Sequence, residues 1–284
     1  MRADSPARTA FNTAGIVLAS YPFLFLMHRG NFEIFNYVFV YFFAHFYARD
    51  KFLASAVSLG AACAFKPFAI PFFVLFLRRD RVKAGLAGLV VIALLSLGSF
   101  ALMKGSIMDN FRAMIANGTA YAAVYVQGTE GIAFGHSLLG MLKTIGGIFS
   151  GHLPGIAAPV WIKAYSVLAV CLAAALAWLA SKTRVLWQAL LLLSAASTVL
   201  PYASVDYRLL LFLIPFFYFV NAPETTAQDT ACCLLFSLLF IPKSYWYFWN
   251  TEISSSVILN PAIIIALCAL AARDILAREY ANVR

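Results

Sequence analysis

Apolar runs of roughly membrane-spanning length alternate with short polar breaks along almost the whole chain. They cover residues 11–27, 33–47, 52–77, 84–103, 156–180, 185–200, 208–220, 229–248 and 254–275, and only residues 104–155 form a long polar stretch. About 20 apolar residues in a helix cross a bilayer core of about 30 Å. The pattern therefore predicts an all-α, polytopic integral membrane protein with about eight transmembrane helices, built as one domain over residues 1–284. Two stretches are interrupted. Lys66-Pro67 and Pro71 break 52–77, and a polar segment at 201–207 separates 185–200 from 208–220. A proline pushes the residue before it out of the helical region and fits the first turn of a new helix, so one or two broken or re-entrant helices are expected.

Charge gives the runs a direction. Thirteen of the 21 Lys and Arg fall on one side when the N-terminus is placed in the cytoplasm, among them Arg49, Lys51, Arg78, Arg79, Arg81, Lys83, Lys182 and Arg184. The positive-inside rule then puts both termini in the cytoplasm and residues 104–155 outside, in a multi-pass protein of the inner (plasma) membrane. Arg49-Lys51 and Arg78–Lys83 share the cytoplasmic side, yet only 26 residues separate them, and two full spans need about 40. A hairpin of two short helices meeting at Lys66-Pro67 answers this; a single kinked span is the alternative. Gly85, Gly88 and Gly98 are expected to let the 84–103 helix pack closely.

With 63% hydrophobic and 12% charged residues, a net charge of +9 reads as orientation toward anionic lipid. No basic face is interleaved with exposed aromatics, so nucleic acid is not an expected partner. Cys63, Cys171, Cys232, Cys233 and Cys268 all lie in apolar runs without CxxC spacing or a flanking His, and read as small buried residues. No nucleotide-binding glycine motif or metal-spaced cluster occurs, so no cofactor and no metal are expected.

Ionisable groups at membrane depth are costly and mark functional sites. Three clusters qualify. Arg29-Gly30-Asn31, with Glu33 after it, makes a tight turn in which Arg29 offers a planar fork for phosphate, or is a snorkelling interfacial Arg. Lys66 stands at a helix start, where free N–H groups favour anions, or it too snorkels. Asp206-Tyr207-Arg208 opens an apolar helix, with Asp206 as cap, as partner of Arg208, or as base. Arg29, Lys66 and Arg208 converge on one half of the membrane and call for an anion, which a lipid phosphate supplies. His136-Ser137 lies in the long loop, and Tyr245-Trp246-Tyr247 with Trp249 reads as an interfacial aromatic belt.

In order, these clusters resemble the membrane glycosyltransferases of the GT-C class, most closely family 87, the mannosyltransferase-related proteins. Arg29-Gly30-Asn31 after Ser20-Tyr21-Pro22 resembles that family's Gly-Gln or Gly-Asn turn. Lys66-Pro67 with Pro71, ahead of Arg78-Arg79, is similar to its Lys-x-x-Pro step. His136-Ser137-Leu138-x-Gly140 resembles its Asn-Gln-Ser-Leu-x-Gly loop, and Pro201-x-x-Ser204-x-Asp206-Tyr207 resembles its last motif. The resemblance implies a polyprenyl-phosphate sugar donor at the outer face, a lipid or glycan acceptor, donor-phosphate binding by Arg29, Lys66 and Arg208, and substrate contacts from Asn31, His136, Ser137 and Tyr207. The family's essential carboxylate lies upstream of the matched region. The chain is accordingly expected to be the C-terminal part of a longer domain, with Glu33 or Asp206 as the alternatives for the catalytic role. The rival expectations are a non-catalytic membrane subunit of polysaccharide assembly and a lipid-carrier transporter or flippase.

Overall fold

Pro67 decides the shape of the first half of the bundle. A computed structural model describes residues 6–77, 80–152, 159–222 and 228–283; Arg2, Arg78-Arg79, Arg284 and the loop end at 153–158 lie outside them. Helix α4 (Phe52–Phe65) stops at Lys66, whose φ of −151° and ψ of 124° are extended, as a residue before proline demands. A 3₁₀ helix, Pro67–Phe76, then starts on the proline.

The two pieces fold back on each other. Tyr47, the last residue of α3 (Glu33–Tyr47), lies 5.5 Å from Phe52 and 5.8 Å from Phe76, ring to ring, and its hydroxyl donates to Leu75 O. The beginning and end of the 52–77 segment thus meet beside one residue. That is the hairpin, and it rules out the single kinked span.

Helix α5 (Val82–Leu102) packs on this hairpin through glycines. A Cβ on Gly60 would come within 2.5 Å of Gly88 O, and one on Gly88 within 2.7 Å of Ala56 O, so only glycine allows this approach. Gly85 lies against Phe76 in the same way, but Gly98 faces open space and takes no part. The close-packing expectation for Gly98 is corrected accordingly; the helix has run past its partner by then.

Among the described residues no strand forms, only isolated bridges pairing Gly135 with Val205 and Tyr247 with Ser254. Upstream of α3 come α1 (Pro6–Ala19) and α2 (Tyr21–His28), bent by 59° at Ser20. The later helices are α6 (Ile107–Tyr121), α7 (Leu138–Ser150), α8 (Pro159–Lys182), α9 (Leu186–Thr198), a 3₁₀ turn Asp206–Phe212, α10 (Leu213–Val220), α11 (Asp229–Leu239) and α12 (Ser256–Val283). Among the described residues three helices, α5, α8 and α12, are long and apolar enough to cross a bilayer alone, and the bent α1–α2 pair makes a fourth if it is one span. The remaining apolar runs are cut into shorter helices at Lys66-Pro67 and at 199–205.

Helix α9 is the centre of the core: Leu190 to Leu193 are fully buried, and two of its buried polar residues, Ser197 and Thr198, donate to carbonyls one turn back. By contrast α5 and α8 are exposed over most of their apolar surface, as helices facing lipid are.

Candidate functional site

The start of α3, the Lys66 break and the Asp206–Phe212 turn come together at one end of the bundle. Gly30, at φ +57°, reverses the chain between α2 and α3, a conformation glycine adopts freely. Asn31 then forms a turn ahead of α3, its Oδ1 accepting from the Glu33 backbone N–H at 3.0 Å. This turn aims the buried Glu33 carboxylate inward.

Glu33 is the centre of charge. Arg208 Nε donates to Oε1 at 3.1 Å, and Lys66 Nζ stands 2.5 Å from Oε2 as an ion pair, off the line of a hydrogen bond. The anion that joins Lys66 to Arg208 is therefore the chain's own Glu33. Asp206 does not pair with Arg208. Lys66 also lies 5.9 Å from the Tyr207 ring centre, and Arg208 lies 4.9 Å from that of Phe68. Arg29 is held differently. Its guanidinium sits 5.3 Å from the Phe25 ring and 5.0 Å from Phe134, and it is exposed. Tyr207 links the two groups: its ring stacks at 6.4 Å on that of Phe25, which holds Arg29, and takes Lys66 on its face. Against Glu33, three cations leave a net charge of +2.

Beneath this lies a second, sealed network. Asp206 has no solvent exposure. Its Oδ1 accepts from Asn260 Nδ2 at 3.0 Å and lies 3.3 Å from His136 Nδ1; its Oδ2 accepts from the Tyr21 hydroxyl at 3.0 Å. His136 Nε2 lies 3.0 Å from Ser204 Oγ. The order Ser204–His136–Asp206 is that of a nucleophile relay, but all three are buried, at 0–1% exposure. Their common effect is to tie α2, the 128–137 loop, the turn before Tyr207 and α12 together directly under the charged cluster. Burial pulls the His136 imidazole below its ordinary value, with the hydrogen bond to Asp206 opposing in part.

Ser137 is fully buried as well. It is the N-cap of α7, accepting from Gly140 N and donating to Tyr202 O at 3.0 Å each. Asn31 and Tyr207 thus stay with the three cations, whereas His136 and Ser137 belong to the buried layer and present no atom to a ligand. Sequence reasoning missed Tyr21, Asn260 and Lys243. Lys243 Nζ donates to Leu238, Leu239 and Ile241 carbonyls, closing the end of α11. An Asn before a proline within the last apolar run was the one available hint for Asn260.

The aromatic segment 245–249 forms a turn beside this site. Phe248 and Trp249 pack with Ile132 and Ala133, next to the Phe134 that holds Arg29, while Tyr245, Trp246 and Tyr247 are exposed.

A family model for glycosyltransferase family 87 matches residues 1–205, well over half of the chain. The chain belongs to glycosyltransferase family 87. It is accordingly a glycosyltransferase with apolar, membrane-type helices. The family 87 match takes in Arg29, Glu33, Lys66, His136 and Ser204 and ends one residue before Asp206. No curated protein and no solved structure matches the chain.

Proposed function

We propose that this family 87 chain transfers a mannose-like sugar from a polyprenyl phosphate to a lipid or glycan acceptor at the outer face of the inner membrane. Both termini and the Arg81 end are cytoplasmic in this reading, residues 104–155 are outside, and the short helices pair to make about eight crossings. The observation that carries it is the cation cluster beside Tyr207: Arg29, Lys66 and Arg208 against one carboxylate, at the end of a bundle of apolar helices.

The chemistry follows from charge. The acceptor hydroxyl attacks the sugar's anomeric carbon, the bond from that carbon to the phosphate oxygen breaks, and its electron pair leaves with the phosphate. A diester of charge −1 becomes a monoester close to −2. Cations fixed beside the leaving oxygen favour the more negative product and hence the transition state. The acceptor's proton passes to a carboxylate. Of the two candidates, Asp206 is sealed under the site and Glu33 lies within it, so Glu33 is the one in reach. Asn31 and Tyr207 line the sugar side, while His136 and Ser137 support the floor.

Donor binding in nanodiscs tests this. Each charge-assisted contact to phosphate contributes about 1.5–3 kcal/mol. Replacing Arg29, Lys66 or Arg208 by Ala should therefore weaken binding about ten- to a hundredfold. Arg208→Lys should fail to restore it fully, because the fork is lost. Undiminished binding in all three Ala variants, with the fold intact, would remove the donor site from this end of the protein.

A further inference from the structure

At the end of α3 opposite Glu33 lies a second arrangement suited to phosphate. A cavity of about 480 Å³ opens between the closing end of the 52–77 hairpin and the turn from α8 to α9, walled by Tyr47, Leu75, Arg81, Thr183, Arg184 and Leu186. This volume is within the range of small-molecule sites, about 300–1,000 Å³. The candidate site around Glu33 has a crevice of only about 10 Å³. Two further cavities, of about 500 and 600 Å³, also open onto Arg184.

Arg184 differs from the other cations there. Lys182 is paired with Glu279 at 2.8 Å, and Arg278 with Asp274 at 2.9 Å. Arg81 bonds the Tyr47 hydroxyl and Asp80, and its guanidinium lies 4.2 Å from the Phe52 ring centre. Arg184 is exposed and, among the described residues, makes no ion pair or hydrogen bond. The cavity wall holds Arg81, already paired with Asp80, together with Arg184 and Asp50.

The other side of the cavity is apolar. Leu77, 74% exposed, sits at its edge, and the 3₁₀ helix that ends just before it touches both α5 and α8, whose outer surfaces are apolar and open. A cationic head position beside an apolar surface matches a phosphate ester carrying acyl chains, and basic pockets between helices hold anionic headgroups in this way.

We propose that this cavity is a second phosphate site, separate from the sugar-donor site, in which Arg184 is the main contact and Arg81 the second, and that it takes the phosphate ester of an anionic membrane lipid or a free phosphate of the same chemistry.

The test compares wild type, Arg184→Gln, Ala48→Phe and Arg112→Gln. Ala48 is exposed on the cavity wall, so phenylalanine there occludes the cavity with Arg184 in place. Arg112, 74% exposed, is the charge-matched control. Thermal unfolding is followed in nanodiscs of phosphatidylcholine with and without phosphatidylglycerol, and in detergent with inorganic phosphate; lipid retention is read by native mass spectrometry. Phosphatidylglycerol should raise the melting temperature of wild type and Arg112→Gln and stay bound to both, with the increment lost and apparent affinity down about tenfold in Arg184→Gln and Ala48→Phe. The same Arg184-dependent increment from inorganic phosphate alone would identify a site for free phosphate. No Arg184-dependent shift in either arm, or an equal shift in all four proteins, overturns the proposal.

Discussion

Glu33 holds two cations that the donor phosphate also needs, and this competition can be measured. In Glu33→Gln the carboxylate no longer occupies Lys66 and Arg208, so prenyl-phosphate should bind about tenfold tighter, while turnover falls. Lys66 and Arg208 keep some access to solvent, so leaving them unpaired costs less than in a fully buried pair; the variant should still melt earlier without ligand and recover when ligand is added. A variant that binds donor more weakly than wild type would assign Glu33 to contact with the sugar instead. His136 gives a second measurement. Its folded-state value lies below the ordinary one of about 6.5, so the unfolded chain takes up the proton that the folded chain refuses. Stability is retained above about pH 6.5 and falls as the pH drops below it; the positive charges of Arg208 and Lys243 push the same way. Melting temperatures from pH 8 to pH 5 should drop less steeply in His136→Gln. The clustering of Arg29, Lys66 and Arg208 was legible in the sequence as polar residues where apolar ones belong. What they pair with was not. Asp206 takes its partners from 54, 70 and 185 residues away, and nothing local marks such contacts.

Helices show the same division between what composition carries and what contact decides. The three long spans α5, α8 and α12 follow directly from run length, and the hairpin followed from two basic clusters too close together for two crossings. The three glycines of α5 look alike in the sequence, yet their surroundings differ. Gly88→Ala drives a Cβ to 2.7 Å from the Ala56 carbonyl, which forces backbone to move and should cost about 1–3 kcal/mol, as overpacking does. Gly98→Ala meets nothing within 4 Å and removes a flexible residue from a helix interior, so it should be neutral or stabilising by up to about 1 kcal/mol. Comparing the two variants by thermal unfolding in detergent separates packing from helix preference. Equal effects would mean that α4 and α5 do not cross at this point.

Across the whole molecule, one end gathers the Glu33 cluster and the other gathers Tyr47, Arg81, Lys182 and Arg184, with α3, α4 and α9 running between. The proposed orientation puts the first end outside. Cysteine labelling in intact cells should then modify Asn117→Cys and spare Arg81→Cys until the membrane is opened; the reverse pattern inverts the protein. The meeting of both ends of the 52–77 segment at Tyr47 also bears on how the chain enters a bilayer. A segment that leaves and returns on one side contributes an even number of crossings, so it does not alter the sidedness of anything after it. Excising residues 52–77 should leave α5 and every later helix with the same polarity, whereas excising α5 alone should reverse all that follow. In the proposed orientation the basic residues on either flank are never translocated during synthesis, and the Lys66 tip is the single charge the hairpin carries in.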